Sequence, residues 1–309
     1  MTALAWQTGV LVPQGPVAAA ERSILLNATA AMLVVVVPVI VLTLVFAWWY
    51  RASNTRARRR PGFTYSGAIE ITVWSIPLLV VIFLAGVTWL GTHQLDPWRP
   101  LDAPGKPLEV QVVSLDWKWL FIQPEAGLAT VNRLVVPAGV PLRLRLSSAS
   151  VMNSFFVPQL GSQVYAMAGM VSTLHLLADA PGTFRGLSAQ FSGEGFSDMR
   201  FEVVALSATD FAAWQASARQ APARLDAQAL DRLWRPGTAV AIANFGSVAD
   251  GLFQQVLLRA VAAKRGDVMA KSPADLAAVC AAPAAPPPTG SALASLAVPY
   301  APLALTRGD

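Results

Sequence analysis

Two stretches decide the architecture: "AMLVVVVPVIVLTLVFAWWY" at residues 31–50 and "ITVWSIPLLVVIFLAGVTWLGTHQL" at residues 71–95. The first belongs to a charge-free run from Ser23 through Tyr50, and the second carries no charge from Ile71 to Leu95. A helix needs about 20 apolar residues to cross the hydrocarbon core of a bilayer, so both runs are long enough to span it. The spans are expected at 26–50 and 71–93, and Pro38 and Pro77 do not count against them because kinks are tolerated in membrane helices. The whole chain agrees: of its 309 residues 54% are hydrophobic and only 13% charged, too apolar for a wholly soluble protein.

Orientation follows from the loop between the runs. "RASNTRARRRPG" holds Arg51, Arg56, Arg58, Arg59 and Arg60, which by the positive-inside rule place residues 51–68 in the cytoplasm. The N-terminal tail (1–22) and everything beyond the second span then lie outside it, in the periplasm of a bacterium. Trp48, Trp49, Tyr50, Trp74, Trp89 and Trp98 are the aromatic residues that mark the interfaces. The net charge is +5 and resides in the arginine run. From Gln111 to Leu206 six basic residues face six acidic ones, so there is neither a phosphate track for nucleic acid nor a lure for an acidic partner.

After the proline-rich linker "DPWRPLDAPGKP" (96–107) the periodicity becomes that of strands. "LEVQVVSLDWKWLFI" (108–122), "VNRLVVPAGVPLRLRLSSAS" (131–150), "VMNSFFVPQL", "QVYAMAG", "STLHLLAD", "GTFRGLSAQF" and "MRFEVVAL" have the β-branched and aromatic content, and the Gly/Pro punctuation, of an antiparallel sandwich over 108–206. In an unbroken strand Trp117 and Trp119 share one face and Asp116 and Lys118 the other. Residues 207–266 read as short helices, the first capped by Thr209 or Asp210, the last placing Leu252, Phe253, Val256 and Leu257 on one face. The Ala/Pro-rich residues 267–309 read as a disordered tail, with Cys280 incidental to it. Cys280, His93 and His175 are the only cysteine and histidines, so the chain can build no internal disulfide and no binuclear thiolate copper centre.

The segments "FAWWYRASN", "EITVWSIPLL", "VVSLDWKWLFIQPEAGLATVN", "SVMNSFFVPQLGSQVYAMAGM", "LHLLADAPGTF" and "SAQFSGEGFSDMRF" resemble subunit II of the haem-copper terminal oxidases, most closely its quinol-oxidising, cytochrome bo branch. The resemblance runs from about Val10 to Val261. It implies a transmembrane hairpin carrying a cupredoxin-like sandwich, in a bacterial inner-membrane complex that oxidises ubiquinol, reduces oxygen to water and pumps protons. It also implies partner subunits I, III and IV, with the haems and copper in subunit I.

In the cytochrome c oxidase branch the sandwich holds a binuclear copper centre. By the resemblance Asn153 stands for its first histidine, Ser188 and Ser192 for its two cysteines, Gln190 for its glutamate, Phe196 for its second histidine, and Met199 alone keeps its type. Hydroxyls and a phenyl ring cannot replace thiolates and imidazole. No metal, no cofactor of its own and no cytochrome c docking are therefore expected. By the resemblance Glu70 occupies the position at which related oxidases take up protons, although an acid at the start of a span equally suits a simple interfacial carboxylate. Trp117, Trp119, Phe155, Phe156, Tyr165, Met167 and Met170 are the candidates for contact with subunit I, although the same content suits a core; His93 and His175 read as structural. In related quinol oxidases a lipid-modified cysteine precedes "VLVPQG", where this chain has Trp6. The rival readings are a copper-bearing cytochrome c oxidase subunit, which the missing thiolates disfavour, and a non-enzymatic membrane-anchored binding module.

Overall fold

The computed structural model describes residues 9–58, 61–238 and 240–264. Trp6, Arg59, Arg60, Cys280 and the 267–309 tail lie outside the described residues. Helix α1 (Pro16–Trp49) and helix α2 (Gly67–Gln94) form the hairpin. Pro16 opens α1 at a position where its missing N–H costs nothing, so the helix starts well before the charge-free run. Along both helices the aliphatic side chains are exposed, Val34, Leu44, Ile71 and Leu79 among them, as lipid-facing residues must be. The helices meet at their outer ends, where Gly91 is buried and a Cβ on it would come within 2.8 Å of Ile24 Cδ1.

The β-domain has two main sheets. One has the order β12-β3-β2-β1-β5-β8, the other β4-β10-β9-β6-β7. Their strands are β1 (Leu108–Leu115), β2 (Lys118–Gln123), β3 (Leu128–Val131), β4 (Arg133–Pro137), β5 (Leu142–Ser148), β6 (Asn153–Phe156), β7 (Val164–Ala166), β8 (Ser172–Leu176), β9 (Gly182–Ser188), β10 (Arg200–Leu206) and β12 (Ala243–Phe245). Two expectations need correction. The sandwich is mixed, not antiparallel, because β1 pairs with β5 and β4 with β10 in parallel. The chain changes sheets between β3 and β4 and again between β4 and β5, so strand neighbours are no longer chain neighbours. Nor is 108–122 one strand: Asp116 and Trp117 form a tight turn that closes a hairpin at the Leu115–Lys118 pair.

Between the sheets lies the first core. Phe155 stacks on Phe201 at 4.8 Å between ring centroids, and Trp119 meets Phe155 edge-on at 5.4 Å. The second core lies outside the six-stranded sheet, where Val113, Leu120, Ile122 and Val131 pack against Leu225, Leu230, Leu252, Phe253 and Val256. Every residue of β2 is buried. This is why "KWLFI" reads as a continuous apolar run rather than an alternation.

The covering segment comprises helices α3 (Ala208–Ala218), α4 (Ala227–Trp234) and α5 (Leu252–Lys264). It also contains β11 (Arg224–Leu225), β12 and β13 (Ser247–Val248), strands too short to register as a pattern. Neither Thr209 nor Asp210 caps α3. Ser207 does, accepting from the Asp210 N–H at 3.2 Å, while its hydroxyl donates to Asp210 Oδ2 at 2.7 Å, a reciprocal capping arrangement.

The residues leading into α1 are stitched to the sandwich. Gln14 N–H donates to Gln159 O at 2.8 Å, and Asp179 N–H donates to Gln14 O at 3.0 Å. Gly15 passes so close to β8 that a Cβ would lie 2.1 Å from Leu177 O. Val17 and Ala18, in the first turn of α1, are buried.

Candidate functional site

The loops that follow β1, β5 and β9 meet at one end of the sandwich. They bring five of the six positions expected to correspond to copper ligands into one connected group. Asn153 begins β6 and Ser188 ends β9; both are buried. The Ser188 hydroxyl lies 3.2 Å from Asn153 Oδ1 and 3.2 Å from Gln190 O, so its single proton serves one acceptor at a time. Asn153 Nδ2 donates to Val151 O at 3.2 Å. Ser192 Oγ reaches Met199 Sδ at 3.9 Å, and Ser188 N–H donates to Met199 O at 3.2 Å. Phe196 turns away and packs edge-on against Phe191 at 5.7 Å.

Every side chain in this group is neutral at any ordinary pH, and the Asn153, Ser188 and Ser192 side chains each contact a neighbour. A copper pair needs thiolate and imidazole donors to share its charge, so the residues present do not fit one. Among the described residues no three His, Cys, Asp or Glu side chains gather as a metal site. The arrangement is a plug of neutral side chains joined by hydrogen bonds.

Trp117 supports the plug from beneath. It is a non-glycine residue at φ 65°, a left-handed conformation that costs about 1–2 kcal/mol. Its ring covers Gly195, where a Cβ would come within 2.4 Å of Trp117 Cγ, and its Nε1–H donates to Ser192 O at 3.3 Å. The Ser150 hydroxyl donates to Asp116 in the same turn. Trp117 and Trp119 thus do not share a strand face: the turn sends one indole to the loop and the other into the core.

The contact candidates divide. Trp119 and Phe155 are wholly buried core residues and cannot reach a partner, while Phe156 and Met167 are half-buried. Tyr165 and Met170 are exposed, together with Val151, Met152 and Phe191, three residues that sequence reasoning missed because nothing in a loop pattern separates a packed apolar residue from a presented one. Glu70 stands in the first turn of α2, where the positive end of the helix favours a carboxylate, and it accepts from Trp74 Nε1–H at 3.2 Å. Both histidines bond backbone carbonyls, His93 to Trp89 O at 2.8 Å and His175 to Pro97 O at 3.0 Å.

Lys118 was also missed. It is buried, and its Nζ donates to Leu233 O at 3.1 Å and Arg235 O at 2.7 Å, carbonyls at the C-terminus of α4 that no helical N–H can reach. Burial pushes its ammonium below the usual 10.5, more strongly than the Asp116 carboxylate pulls it up. The unfolded chain therefore holds this proton more tightly, and stability rises with pH between the folded-state pKa and 10.5. Lys118→Met is expected to abolish that rise and to cost about 1–3 kcal/mol at neutral pH. Urea unfolding of the full chain across the alkaline range checks the first, and faster amide exchange over residues 227–235 the second.

A family model described as "Cytochrome C oxidase subunit II, periplasmic domain" matches residues 110–206. Cytochrome bo(3) ubiquinol oxidase subunit 2 of Pseudomonas aeruginosa is 49% identical over 80% of this chain and 75% of its own length. Ubiquinol oxidase subunit 2 of Acetobacter aceti is 46% identical over 85% of each, and quinol oxidase subunit 2 of Bacillus cereus 36% identical over 74% and 79%. The chain is therefore a member of the haem-copper oxidase subunit II family, in its quinol oxidase branch.

Proposed function

We propose that the chain serves as the non-catalytic subunit II of a proton-pumping ubiquinol oxidase, anchored in the inner membrane by α1 and α2 with its β-domain in the periplasm. The observation that carries this reading is the neutral plug at Asn153, Ser188, Gln190, Ser192 and Met199. A chain with no electron acceptor cannot relay electrons from cytochrome c, so reducing equivalents must reach subunit I from a donor within the membrane. The exposed rim of Val151, Met152, Tyr165, Met170 and Phe191 is the surface for subunit I. Subunits III and IV complete the assembly, and the charge balance of residues 111–206, six basic against six acidic, offers no net attraction to cytochrome c or nucleic acid. The copper-bearing alternative fails on its ligands, and a free-standing binding module does not account for likeness that extends through both spans.

Glu70 takes up protons in this reading. It is an ionisable group at the cytoplasmic start of an otherwise uncharged helix, and such groups are costly unless solvated or functional. In the purified complex ubiquinol should support turnover and reduced cytochrome c should not. Glu70→Gln should slow ubiquinol oxidation by about tenfold or more, because the amide keeps the shape but exchanges no proton, whereas Glu70→Asp should be milder. Steady-state activity per haem, in complexes containing stoichiometric subunit II, measures both. Efficient cytochrome c turnover would overturn the branch function, and full activity of the glutamine variant would reject proton uptake.

A further inference from the structure

A cleft lies away from the plug, where both helices leave the bilayer. It is an open cleft of about 380 Å³ between the first turn of α1, the end of α2, the linker and β8, and its polar lining includes the exposed Gln94, Asp96, Arg99 and Asp102 together with Ser162 and His175. Its walls are held in place. His175 N–H and Nδ1 both bond Pro97 O, at 3.2 and 3.0 Å. Asp96 Oδ1 accepts from Trp98 N–H at 3.0 Å, and Arg99 N–H donates to Asp96 O at 2.9 Å. On the α1 side the Ser162 hydroxyl donates to Glu21. Such a preformed concavity with a few convergent polar groups is the usual form of a small-molecule site.

Two features specify the ligand. The first is depth. A crossing of about 20 residues that begins at Ile71 ends near Leu90, so Gln94 to Asp102 lie at the height of the lipid headgroups, flanked by the exposed Trp89 and Trp98. The second is charge. Among the described residues neither the Arg99 guanidinium nor the Asp102 carboxylate has an ion-pair partner, although both line the same cavity. A guanidinium matches a phosphate through paired N–H donors, and a carboxylate beside it matches an ammonium. Lone acidity would repel a phospholipid and lone basicity would select an anionic one; the two together fit a zwitterion.

We propose that this cavity binds the headgroup of an ethanolamine phospholipid, its phosphate on Arg99 and its ammonium on Asp102 and Asp96. This rests on the reading of α1 and α2 as membrane spans, and the test separates the two. The full chain within its complex is placed in nanodiscs containing equal phosphatidylethanolamine, phosphatidylglycerol and phosphatidylcholine. The lipids that remain through detergent washing are then counted by native mass spectrometry. The wild type should keep one ethanolamine lipid per chain. Arg99→Gln should lower that retention by about tenfold, the loss of one charge-assisted pair, and Arg99→Lys by less. Asp102→Asn should keep a phospholipid but lose the preference for ethanolamine over glycerol. Equal retention in the wild type and Arg99→Gln, displacement of the lipid by millimolar inorganic phosphate, or loss of subunit I from Arg99→Gln with the lipid count unchanged would each overturn the proposal. Resistance of the chain to carbonate extraction reports on the spans independently of the lipid count.

Discussion

Replacing the plug by ligands, with Asn153→His, Ser188→Cys, Gln190→Glu, Ser192→Cys and Phe196→His in one chain, is expected to create a binuclear copper centre. The unaltered chain should take up no copper stoichiometrically. The backbone already assembles the site: Asn153 and Ser188 are joined at 3.2 Å, Ser188 N–H is bonded to Met199 O at 3.2 Å, and Met199 Sδ lies 3.9 Å from Ser192 Oγ. Donor atoms on one metal are spaced about 3–4 Å apart when each sits about 2.0–2.3 Å from it, so no large loop movement is required. Phe196 is the exception, because its ring faces Phe191; the variant that keeps Phe196 should bind copper more weakly. Metal analysis and near-infrared absorption after copper loading decide the matter. An absence of tightly held copper in the five-fold variant would mean that the loops have lost the geometry along with the ligands.

Trp119→Ala is expected to cost about 3–5 kcal/mol, the range for deleting a large buried aromatic, with a fall in Tm on the order of 10 °C. Trp119 is wholly buried and touches both Phe155 and Phe201, at 5.4 and 5.5 Å. Its indole N–H, however, has no hydrogen-bond partner among the described residues, and an unmatched buried donor is itself unfavourable. Trp119→Phe should therefore lose far less than its volume change suggests. Thermal unfolding of the full chain in detergent, followed by circular dichroism, compares the two. A phenylalanine variant as unstable as the alanine variant would show that the N–H is satisfied after all.

The spans were legible in the sequence because a bilayer imposes length and apolarity on a continuous stretch, with nothing left to distant contacts. The lack of thiolate and imidazole donors in the loops before β6 and after β9 was legible too, since the absence of Cys and His from them needs no coordinates. The turn at Asp116 and Trp117 was not. A left-handed tryptophan contradicts local preference, and only the loop around Gly195, nearly eighty residues on, gives it a reason. The burial of Lys118 was hidden in the same way, because its acceptors lie on α4. Parallel pairing of β1 with β5 likewise depends on where the chain changes sheets, which alternation does not record.

The seam between Gln14, Gly15 and β8 bears on biogenesis. The strands close against a segment that precedes the first span, so the sandwich can finish folding only if residues 12–18 have been delivered to the same side of the bilayer as residues 157–179. A chain inserted upside down in one helix would present the domain without its partner segment and leave Gln159 O and Asp179 N–H open to water. The seam therefore closes only in a hairpin whose two ends lie on the same side of the bilayer, a condition that a misthreaded chain does not meet.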